Sequence, residues 1–414
     1  MRSNMQSKLL RIVATGSLAA MLLSTALTAQ AQPQQTEPNA GKWKIAHGVS
    51  ERSHSLKTTD GRGGHTSVRK TIVGDYEPMV GDFDGDGRSD IFWYAKDRTA
   101  NDFIWFFDAT RGNHTSVSKT VAGDYETRVG DFDGDGRSDI FWYAKNRANN
   151  DFIWFFDAIR GSHTPISKTV VGDYETRVGD FDGDGRSDIF WYAKNRTAND
   201  FIWLFNTTRG DHISVSKTIA GDYEVRMGDF DGDHRSDIFL YAKDRTANDF
   251  IWLFNTTRGD HTSVKKIVAG DYETRAGDFD GDGRSDIFWY AKDRADNDFI
   301  WLFDAIQGDH ISISKTIAGD YEPMVGDFDG DHRSDIFLYA KDRTANDFIW
   351  LFNATRGDHT SVSKTIIGDY QSLVGDFDAD GRSDIFWYAK NRANSGFVWL
   401  FDAAEKIYLP LITK

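Results

Sequence analysis

The sequence predicts an all-β fold, a seven-bladed β-propeller with four antiparallel strands per blade. Three observations lead to this prediction. A carboxylate-rich loop recurs seven times at a fixed period of 49 residues, each repeat holds four short strand-like runs, and two of those runs are apolar on both faces. Periods of about 20–50 residues are typical of solenoids, propellers and arrays. The loop motif starts at Gly81, Gly130, Gly179, Gly228, Gly277, Gly326 and Gly375.

Each repeat contains four β-like runs separated by turn-forming residues. Strand A is predicted at residues 125–132 of one copy, and the carboxylate-rich loop follows it. Strand B is predicted at residues 90–95, strand C at 102–107 and strand D at 115–121. A Gly-Asp turn then leads into strand A of the next repeat.

Strand B is apolar on both faces, because Ile91 and Trp93 alternate with Phe92 and Tyr94. A sheet of that kind must be covered on both sides. In a closed ring the neighbouring blades supply the cover, whereas an open stack needs capping units at its ends. The ring is therefore the preferred architecture.

Two terminal segments compete to complete the last blade. Six D strands lie between the seven A-B-C units, and a seventh D-like run, from His65 to Val73, precedes the first unit. The rival is the run from Lys406 to Thr413, which contains Pro410, a residue suited to a sheet edge. We favour closure by the N-terminal strand.

The recurring loop has the composition of a site for a hard cation. Oxygen side chains at positions 1, 3, 5 and 9 converge when a chain curls, and Ca²⁺ takes 6–8 oxygen ligands. Gly87 at position 6 permits the sharp turn. The loop is not an EF-hand, because position 12 is Trp93 instead of a bidentate Glu. The alternative is an Asp/Gly-rich turn without metal.

Up to seven Ca²⁺ ions are predicted, held by the four carboxylates and the position-7 carbonyl of each loop. The predicted ligands are Asp82, Asp84, Asp86, Arg88, Asp90, Asp131, Asp133, Asp135, Arg137, Asp139, Asp180, Asp182, Asp184, Arg186, Asp188, Asp229, Asp231, Asp233, Arg235, Asp237, Asp278, Asp280, Asp282, Arg284, Asp286, Asp327, Asp329, Asp331, Arg333, Asp335, Asp376, Asp378, Asp380, Arg382 and Asp384.

Charge and composition agree with this prediction. The formal net charge is −15, and seven divalent cations would bring it close to zero. An acidic chain does not offer the basic face that a nucleic-acid partner requires. The chain has no Cys, which excludes disulfides and thiol chemistry.

Four segments are predicted along the chain. Residues 1–31 resemble a cleaved signal peptide, with a basic start, an apolar run and Ala-Gln-Ala at 29–31, so we expect a secreted or cell-surface protein without a membrane span. The alternative is a membrane anchor. Residues 32–64 are predicted to be a flexible linker, 65–405 the propeller and 406–414 a tail.

The Asp-x-Asp-x-Asp-Gly-x-x-Asp loop, with Asp-Ile-Phe-Trp-Tyr and Phe-Ile-Trp-Phe-Phe, resembles the FG-GAP/VCBS-type repeat family over roughly residues 65–402. That family forms the calcium-bearing blades of integrin α-subunit heads and of many exported bacterial proteins. The resemblance implies a seven-bladed propeller with Ca²⁺ in the loops between strands A and B. Its members serve as adhesion heads, lectins and propellers attached to enzymes, so the family does not specify one function.

Three loops depart from the pattern. His234 and His332 replace the position-6 Gly, and Leu240 and Leu338 replace the strand-B Trp of the same repeats. Duplication of one variant repeat explains this coupling, and the alternative is that the His side chain fills the space of the Trp. In the seventh loop Ala379 replaces a Gly at position 4.

No catalytic constellation stands out, so we do not expect an enzyme. Seven similar repeats favour a monomeric, multivalent recognition module for glycans or cell-surface proteins, because repeated weak sites gain avidity. The candidate ligand-binding residues, at the end with the B–C loop and the D–A turn, are Arg98, Asn101, Asp124, Tyr125 and Glu126 with their equivalents. The alternatives are a calcium-stabilised structural domain without its own ligand, or an accessory propeller of an extracellular enzyme system.

Overall fold

The computed structural model describes residues 62–95, 101–144, 151–193, 199–242, 248–291, 297–340, 346–390 and 396–402. All of them lie in one compact unit. The strands are β1 His65–Lys70, β2 Tyr76–Gly81, β3 Asp90–Ala95, β4 Asp102–Phe107, β5 His114–Lys119, β6 Glu126–Gly130, β7 Asp139–Tyr143, β8 Asp151–Phe156, β9 His163–Lys168, β10 Tyr174–Gly179, β11 Asp188–Ala193, β12 Asp200–Phe205, β13 His212–Lys217, β14 Tyr223–Gly228, β15 Asp237–Ala242, β16 Asp249–Phe254, β17 His261–Lys266, β18 Glu273–Gly277, β19 Asp286–Tyr290, β20 Asp298–Phe303, β21 His310–Lys315, β22 Tyr321–Gly326, β23 Asp335–Ala340, β24 Asp347–Phe352, β25 His359–Lys364, β26 Gln371–Gly375, β27 Asp384–Tyr388 and β28 Gly396–Phe401.

The strands form seven four-stranded antiparallel sheets arranged in a ring, a seven-bladed β-propeller. Blades one to six each take four strands that are consecutive in sequence, beginning with β2-β3-β4-β5. The seventh blade has the order β1-β28-β27-β26. The N-terminal strand therefore completes the last blade, as predicted, with His65 opposite Phe401 and Lys70 opposite Gly396. The rival segment, residues 406–413, lies outside the described residues.

A hydrogen bond between adjacent blades recurs around the ring. The backbone N–H of Ser138 in blade two donates to the Asp82 carbonyl of blade one at 2.6 Å. The same bond joins the last blade to the first, from the Ser89 N–H to the Asp376 carbonyl, also at 2.6 Å. The first residue of each predicted metal loop is thus tied to the next blade.

The core lies between the blades, as the two-faced apolar pattern predicted. All six residues of β3 are buried. Phe92 and Tyr94 pack on the next blade, with ring centroids 5.5 Å and 5.2 Å from that of Trp142. The strand-B and strand-C Trp side chains are core residues, since none is more than 8% exposed.

The boundaries of strands B and C match the prediction, whereas A and D end earlier. Strand A of blade two ends at Gly130, because the Phe132 N–H donates to the Asp139 carboxylate instead of to a neighbouring strand. Strand D of blade one ends at Lys119, because the Val121 N–H donates to Asp102. At both ends of a blade, side-chain carboxylates thus accept the backbone N–H bonds that a neighbouring strand would otherwise accept.

The propeller begins slightly before the predicted boundary at residue 65. Arg62, placed in the linker by the sequence, donates from Nη2 to the Phe352 carbonyl at 3.1 Å and from Nε to Asp329 at 2.5 Å. It thus occupies the turn position that Arg111 has in blade one. The signal and tail segments lie outside the described residues. Every regular element described is a strand, and no described helix is long and apolar enough to cross a bilayer.

Candidate metal loops and inter-blade pockets

The loop between strands A and B is organised by its first carboxylate. Asp82 accepts hydrogen bonds from the backbone N–H groups of Gly85 at 2.7 Å, Asp86 at 3.1 Å and Gly87 at 2.9 Å. The short side chain thereby mimics a backbone turn. These bonds bend the loop into a tight turn, and the bend brings carboxylates of the loop close together.

Position 6 needs a left-handed backbone conformation. Gly87 has φ +84° there, and His234 and His332 adopt the same region at +68° and +67°. Non-Gly residues rarely do so, although His is among the more tolerant. The side chain of His234 is 93% exposed, so the idea that it fills the space of the missing Trp is wrong. Ala379 is strained in the same way at position 4, with φ +57°.

The position-9 carboxylate joins three segments of its blade. Asp90 is fully buried and accepts hydrogen bonds from the backbone N–H groups of Phe83 and Phe107, each at 3.0 Å. Burial, and then the charge of Asp84, raises the pKa of Asp90 to about 8. The two acceptor bonds use one lone pair on each oxygen, so the carboxylate keeps further acceptor capacity toward the loop.

The position-3 carboxylates carry the strongest sign of a missing partner. In six loops this side chain is only 3–9% exposed, and its Oδ1 has no hydrogen-bond partner among the described residues. A buried carboxylate oxygen without a partner is costly. These six residues are Asp84, Asp133, Asp182, Asp280, Asp329 and Asp378.

The carboxylate oxygens of one loop lie close enough to share a cation. In the second loop, atoms from Asp131, Asp133 and Asp139 are all within 4.8 Å of one another. Comparable groups occur in the other loops, for example Asp180, Asp182 and Asp188. Oxygen-only donors at this density, with one buried oxygen left over, fit the ligand preference of calcium. The carbonyl of Arg88 and its equivalents remains a predicted ligand.

An arginine from the next blade reaches each loop but one, a contact that the sequence reasoning missed. Arg160, in the turn between strands C and D of blade two, places Nε 2.5 Å from Oδ2 of Asp84 in blade one. Arg111 reaches Asp378 in the same way across the ring closure. The signal was visible as an Arg-Gly pair recurring in this turn. The equivalent arginines are Arg209, Arg258, Arg356 and Arg62.

The outer edge of each blade carries a Lys–His–Trp contact. His163 stacks on Trp154 with ring centroids 3.9 Å apart, and Nζ of Lys119, from the preceding blade, lies 3.0 Å from its Nδ1. Burial and the charge of Lys119 lower the pKa of His163 to about 4. The seven His of the D strands are therefore neutral structural groups, since the other six pKa values are also lowered, to about 3 or 4.

The end of the propeller opposite the metal loops has pockets where a D–A turn meets strands C and D. The pocket in blade five has a volume of about 310 Å³ and is lined by Tyr272, Phe299 and Trp301. Its polar lining includes Asn297 and Ser312. It therefore combines aromatic rings with amide and hydroxyl groups in a small concave site.

The equivalent pocket in blade six is larger, about 450 Å³, and its lining includes Leu338. Leu338 is one of the two residues that replace the strand-B Trp, and the smaller side chain leaves more space beside Tyr321 and Trp350. Asn346 and Ser361 provide its amide and hydroxyl groups. The coupled substitution noted in the sequence thus changes the shape of a pocket.

The structure brings together only some of the predicted ligand-binding residues. Asn101 and Tyr125 are equivalent to pocket-lining residues of blades five and six, and Asn101 is exposed. Tyr125, however, is half-buried and packs edge-on against Phe152 at 5.2 Å, so it is largely a packing residue. Asp124 is exposed and Glu126 half-buried, and their equivalents do not line either pocket. Arg98 lies outside the described residues.

Comparison with protein families identifies the repeat. The model for the FG-GAP-like repeat matches residues 131–191 and 180–240, and that for the FG-GAP repeat matches residues 369–401. Residues 131–240 and 369–401 therefore match FG-GAP repeats. The two FG-GAP-like matches begin at Asp131 and Asp180, the first carboxylates of their loops, so the family signal starts at the candidate metal site. No curated protein sequence matches the chain.

Solved structures with a similar fold include proteins with different roles. A lectin from Agrocybe aegerita, solved for its recognition of non-reducing terminal N-acetylglucosamine, has 16% identity and a TM-score of 0.55 over 70% of this chain and 80% of its own. BBS1N, solved in complex with ARL6DN, has 9% identity and a TM-score of 0.51 over 85% and 98%. At these identities the likeness concerns the fold alone.

Proposed function

We propose that the protein is an exported, calcium-stabilised, monomeric propeller that recognises carbohydrates through its inter-blade pockets. The observation that carries the proposal is a small concave pocket that joins aromatic rings to amide and hydroxyl groups, found in blade five and again in blade six. The proposed role is binding without catalysis. Export rests on the signal-like sequence of residues 1–31.

Calcium has a structural role in this proposal. Asp82, Asp84, Asp86 and Asp90, with the Arg88 carbonyl, would hold one ion in the first loop, and their equivalents would do so in the others. The unpartnered Oδ1 of Asp84 supports this assignment. A bound cation would neutralise carboxylates that otherwise repel one another. It would thereby fix the loop that joins each blade to the next.

The pockets suit a sugar for chemical reasons. Their volumes, about 310 and 450 Å³, fall within the range of about 300–1,000 Å³ that is usual for small-ligand sites. A pyranose presents C–H groups that contact aromatic rings and hydroxyls that exchange hydrogen bonds with groups such as the Asn346 amide and the Ser361 hydroxyl. The equivalence of the blades adds multivalency, which raises avidity for a target with several copies of one sugar.

The similar fold of the Agrocybe aegerita lectin also supports carbohydrate recognition. The rival is a protein partner, which the fold of BBS1N in its complex with ARL6DN illustrates. Aromatic rings beside amide groups in pockets of this size favour a small ligand over a protein surface.

The test is a glycan array on the purified chain in millimolar calcium, followed by calorimetry with the sugar that binds. We expect binding to one sugar class. Leu338→Trp should then change the affinity of the blade-six site without removing it, because Trp289 occupies this position beside the smaller blade-five pocket, and the variant should bring the blade-six pocket closer to that size. Asn346→Ala should weaken the same site by loss of its amide.

The matched control is Ile306→Thr. Ile306 is 68% exposed in the C–D turn at the other end of blade five, where four other blades carry Thr, so this variant should bind like the wild type. Replacing the Tyr125-type residues is a poor test, because removing a packed aromatic side chain opens a costly cavity. A blank array would contradict the proposal and favour a structural or protein-binding propeller.

A further inference from the structure

The seven loops differ in the residue that faces their position-3 carboxylate. In six loops an arginine from the neighbouring blade contacts that carboxylate, as Arg160 contacts Asp84 at 2.5 Å. In the fourth loop the corresponding turn residue is Gln307, whose amide donates a hydrogen bond to Asp231. The fourth loop therefore has a neutral group where the others have a cation.

This difference changes the charge that a bound metal would meet. Each loop holds four carboxylates and its own position-7 Arg, which pairs with the position-5 Asp, as Arg235 pairs with Asp233 at 2.7 Å. With the neighbouring arginine the formal charge around a loop is −2, and without it the charge around the fourth loop is −3. Arg284 also approaches the fourth loop, with Nε 3.3 Å from the Asp231 carbonyl, but this contact recurs in the third, fifth and sixth loops.

The sixth loop is a natural control for the fourth. Both carry His at position 6 with nearly the same φ, and both repeats have Leu in place of the strand-B Trp. They differ in the facing residue, since Arg62 contacts Asp329 in the sixth loop whereas Gln307 contacts Asp231 in the fourth. Comparing these two loops therefore isolates the arginine from the strain at position 6.

Asp231 also differs from the other six position-3 residues in its own contacts. Its Oδ1 accepts a hydrogen bond from the Asp233 N–H at 3.3 Å, while the corresponding oxygen of the others has no partner among the described residues. The bond is long, and it joins two residues of the same loop. The carboxylate still lies within 4.8 Å of Asp229 and Asp237 in the acidic group of this loop.

We propose that Gln307 makes the fourth loop the tightest calcium site of the ring, and that the neighbouring arginines weaken the other six sites. This inference rests on the calcium part of the proposed function. A cation near the metal opposes its binding by Coulomb repulsion, which for unit charges 4 Å apart is about 1 kcal/mol in water and about 4 kcal/mol near a protein surface. For these loops at the protein surface we expect about tenfold tighter binding of calcium at the fourth loop.

The test is calorimetric titration of the metal-free chain with Ca²⁺ at low ionic strength, where charge effects are least screened. The wild type should show one tight site and a weaker class. Gln307→Arg should abolish the tight class without unfolding the propeller, because six blades already carry Arg at this position. Arg356→Gln, at the same turn position of the next blade, should free Asp280 and create a second tight site.

Two further variants assign the tight site to its loop. Asp231→Asn should remove the tight calcium site from the titration. The matched variant Asp329→Asn should leave the tight site intact, although each variant removes one carboxylate from a loop that contains His. Circular dichroism on each variant confirms that the fold is kept. If Arg356→Gln destabilises its blade, Gln307→Arg and the two Asn variants decide the question.

The outcomes separate this inference from the proposal beneath it. One class of equal sites in the wild type, or a tight class that survives Gln307→Arg, overturns the role of Gln307 but leaves calcium binding in place. Absence of any calcium binding overturns both. If the protein shows both classes of calcium site but binds no glycan, only the proposal of carbohydrate recognition is contradicted.

Discussion

At the scale of single residues, the loops depend on a backbone conformation that only glycine adopts without strain. A Cβ added at Gly87 would meet no atom within 4 Å, so the cost of a larger residue there comes from the backbone alone. His332 bears this cost at φ +67°. Comparing Gly and non-Gly residues at position 6 therefore measures backbone strain without a contribution from packing.

We predict that His332→Gly raises the free energy of unfolding by about 1 kcal/mol. Left-handed conformations cost non-Gly residues about 1–3 kcal/mol, and the greater freedom of Gly in the unfolded chain offsets part of the gain. Urea denaturation of both proteins in the same buffer measures the difference. Gly87→Ala is the reciprocal control and should lower stability by a similar amount; equal midpoints for all three proteins would contradict the strain argument.

At the scale of elements, one strand closes the ring. β1 supplies the outer strand of the seventh blade, and its six residues pair with all six of β28. Arg62, just before β1, extends this closure to the sixth loop. Without β1, β28 becomes an exposed edge, and unpaired edges favour aggregation.

Deletion of residues 62–70 is expected to abolish the monomeric propeller, because blade seven loses its outer strand and the adjoining blades lose a packing surface. Size-exclusion chromatography should show aggregates or oligomers. The controls are deletion of residues 2–61, and separately of 403–414, each of which keeps every described strand. A monomer after loss of residues 62–70 would show that the closure is dispensable.

Much of the element scale was predictable from sequence, for reasons that also explain what was missed. Strands B and C are marked by continuous apolar runs, and their predicted bounds match β3 and β4. The ends of A and D are set by Asp139 and Asp102, whose bonds to backbone N–H groups leave no periodic signal. The arginine contacts join residues 76 positions apart, as in Arg160 and Asp84, so only the ring brings them together.

At the scale of the whole molecule, seven buried carboxyl groups couple stability to pH and metal. Burial is the main cause that raises the pKa of the position-9 Asp residues to about 8 or 9. In the absence of metal the folded state holds protons that the unfolded state has already lost. The stability these groups confer is therefore present at low pH and is lost as pH rises through about 8.

In EDTA we expect the urea midpoint to fall between pH 7 and pH 8. The D-strand His residues contribute little in this window, because both their lowered pKa values in the folded state and the ordinary pKa of about 6.5 in the unfolded state lie below it. The seven carboxyl groups also outnumber Lys70 and Lys364, whose pKa burial lowers to about 8. Saturating calcium should raise the midpoint at both pH values, since a ligand at 100 times its Kd stabilises by about 2.7 kcal/mol per site. It should also abolish the fall, because a cation favours ionised carboxylates. An identical pH profile in EDTA and in calcium would contradict the metal assignment.

The pairing of β1 with β28 has a consequence for how the protein is made. His65 and Phe401 are neighbours in the seventh blade but lie at opposite ends of the described chain. A ribosome synthesises β1 long before β28, so the first strand stays unpaired while the other six blades assemble. Contacts of such long range slow folding. Final closure is thus a late event, and a chaperone that shields β1 until β28 arrives would act at the most vulnerable moment of biosynthesis.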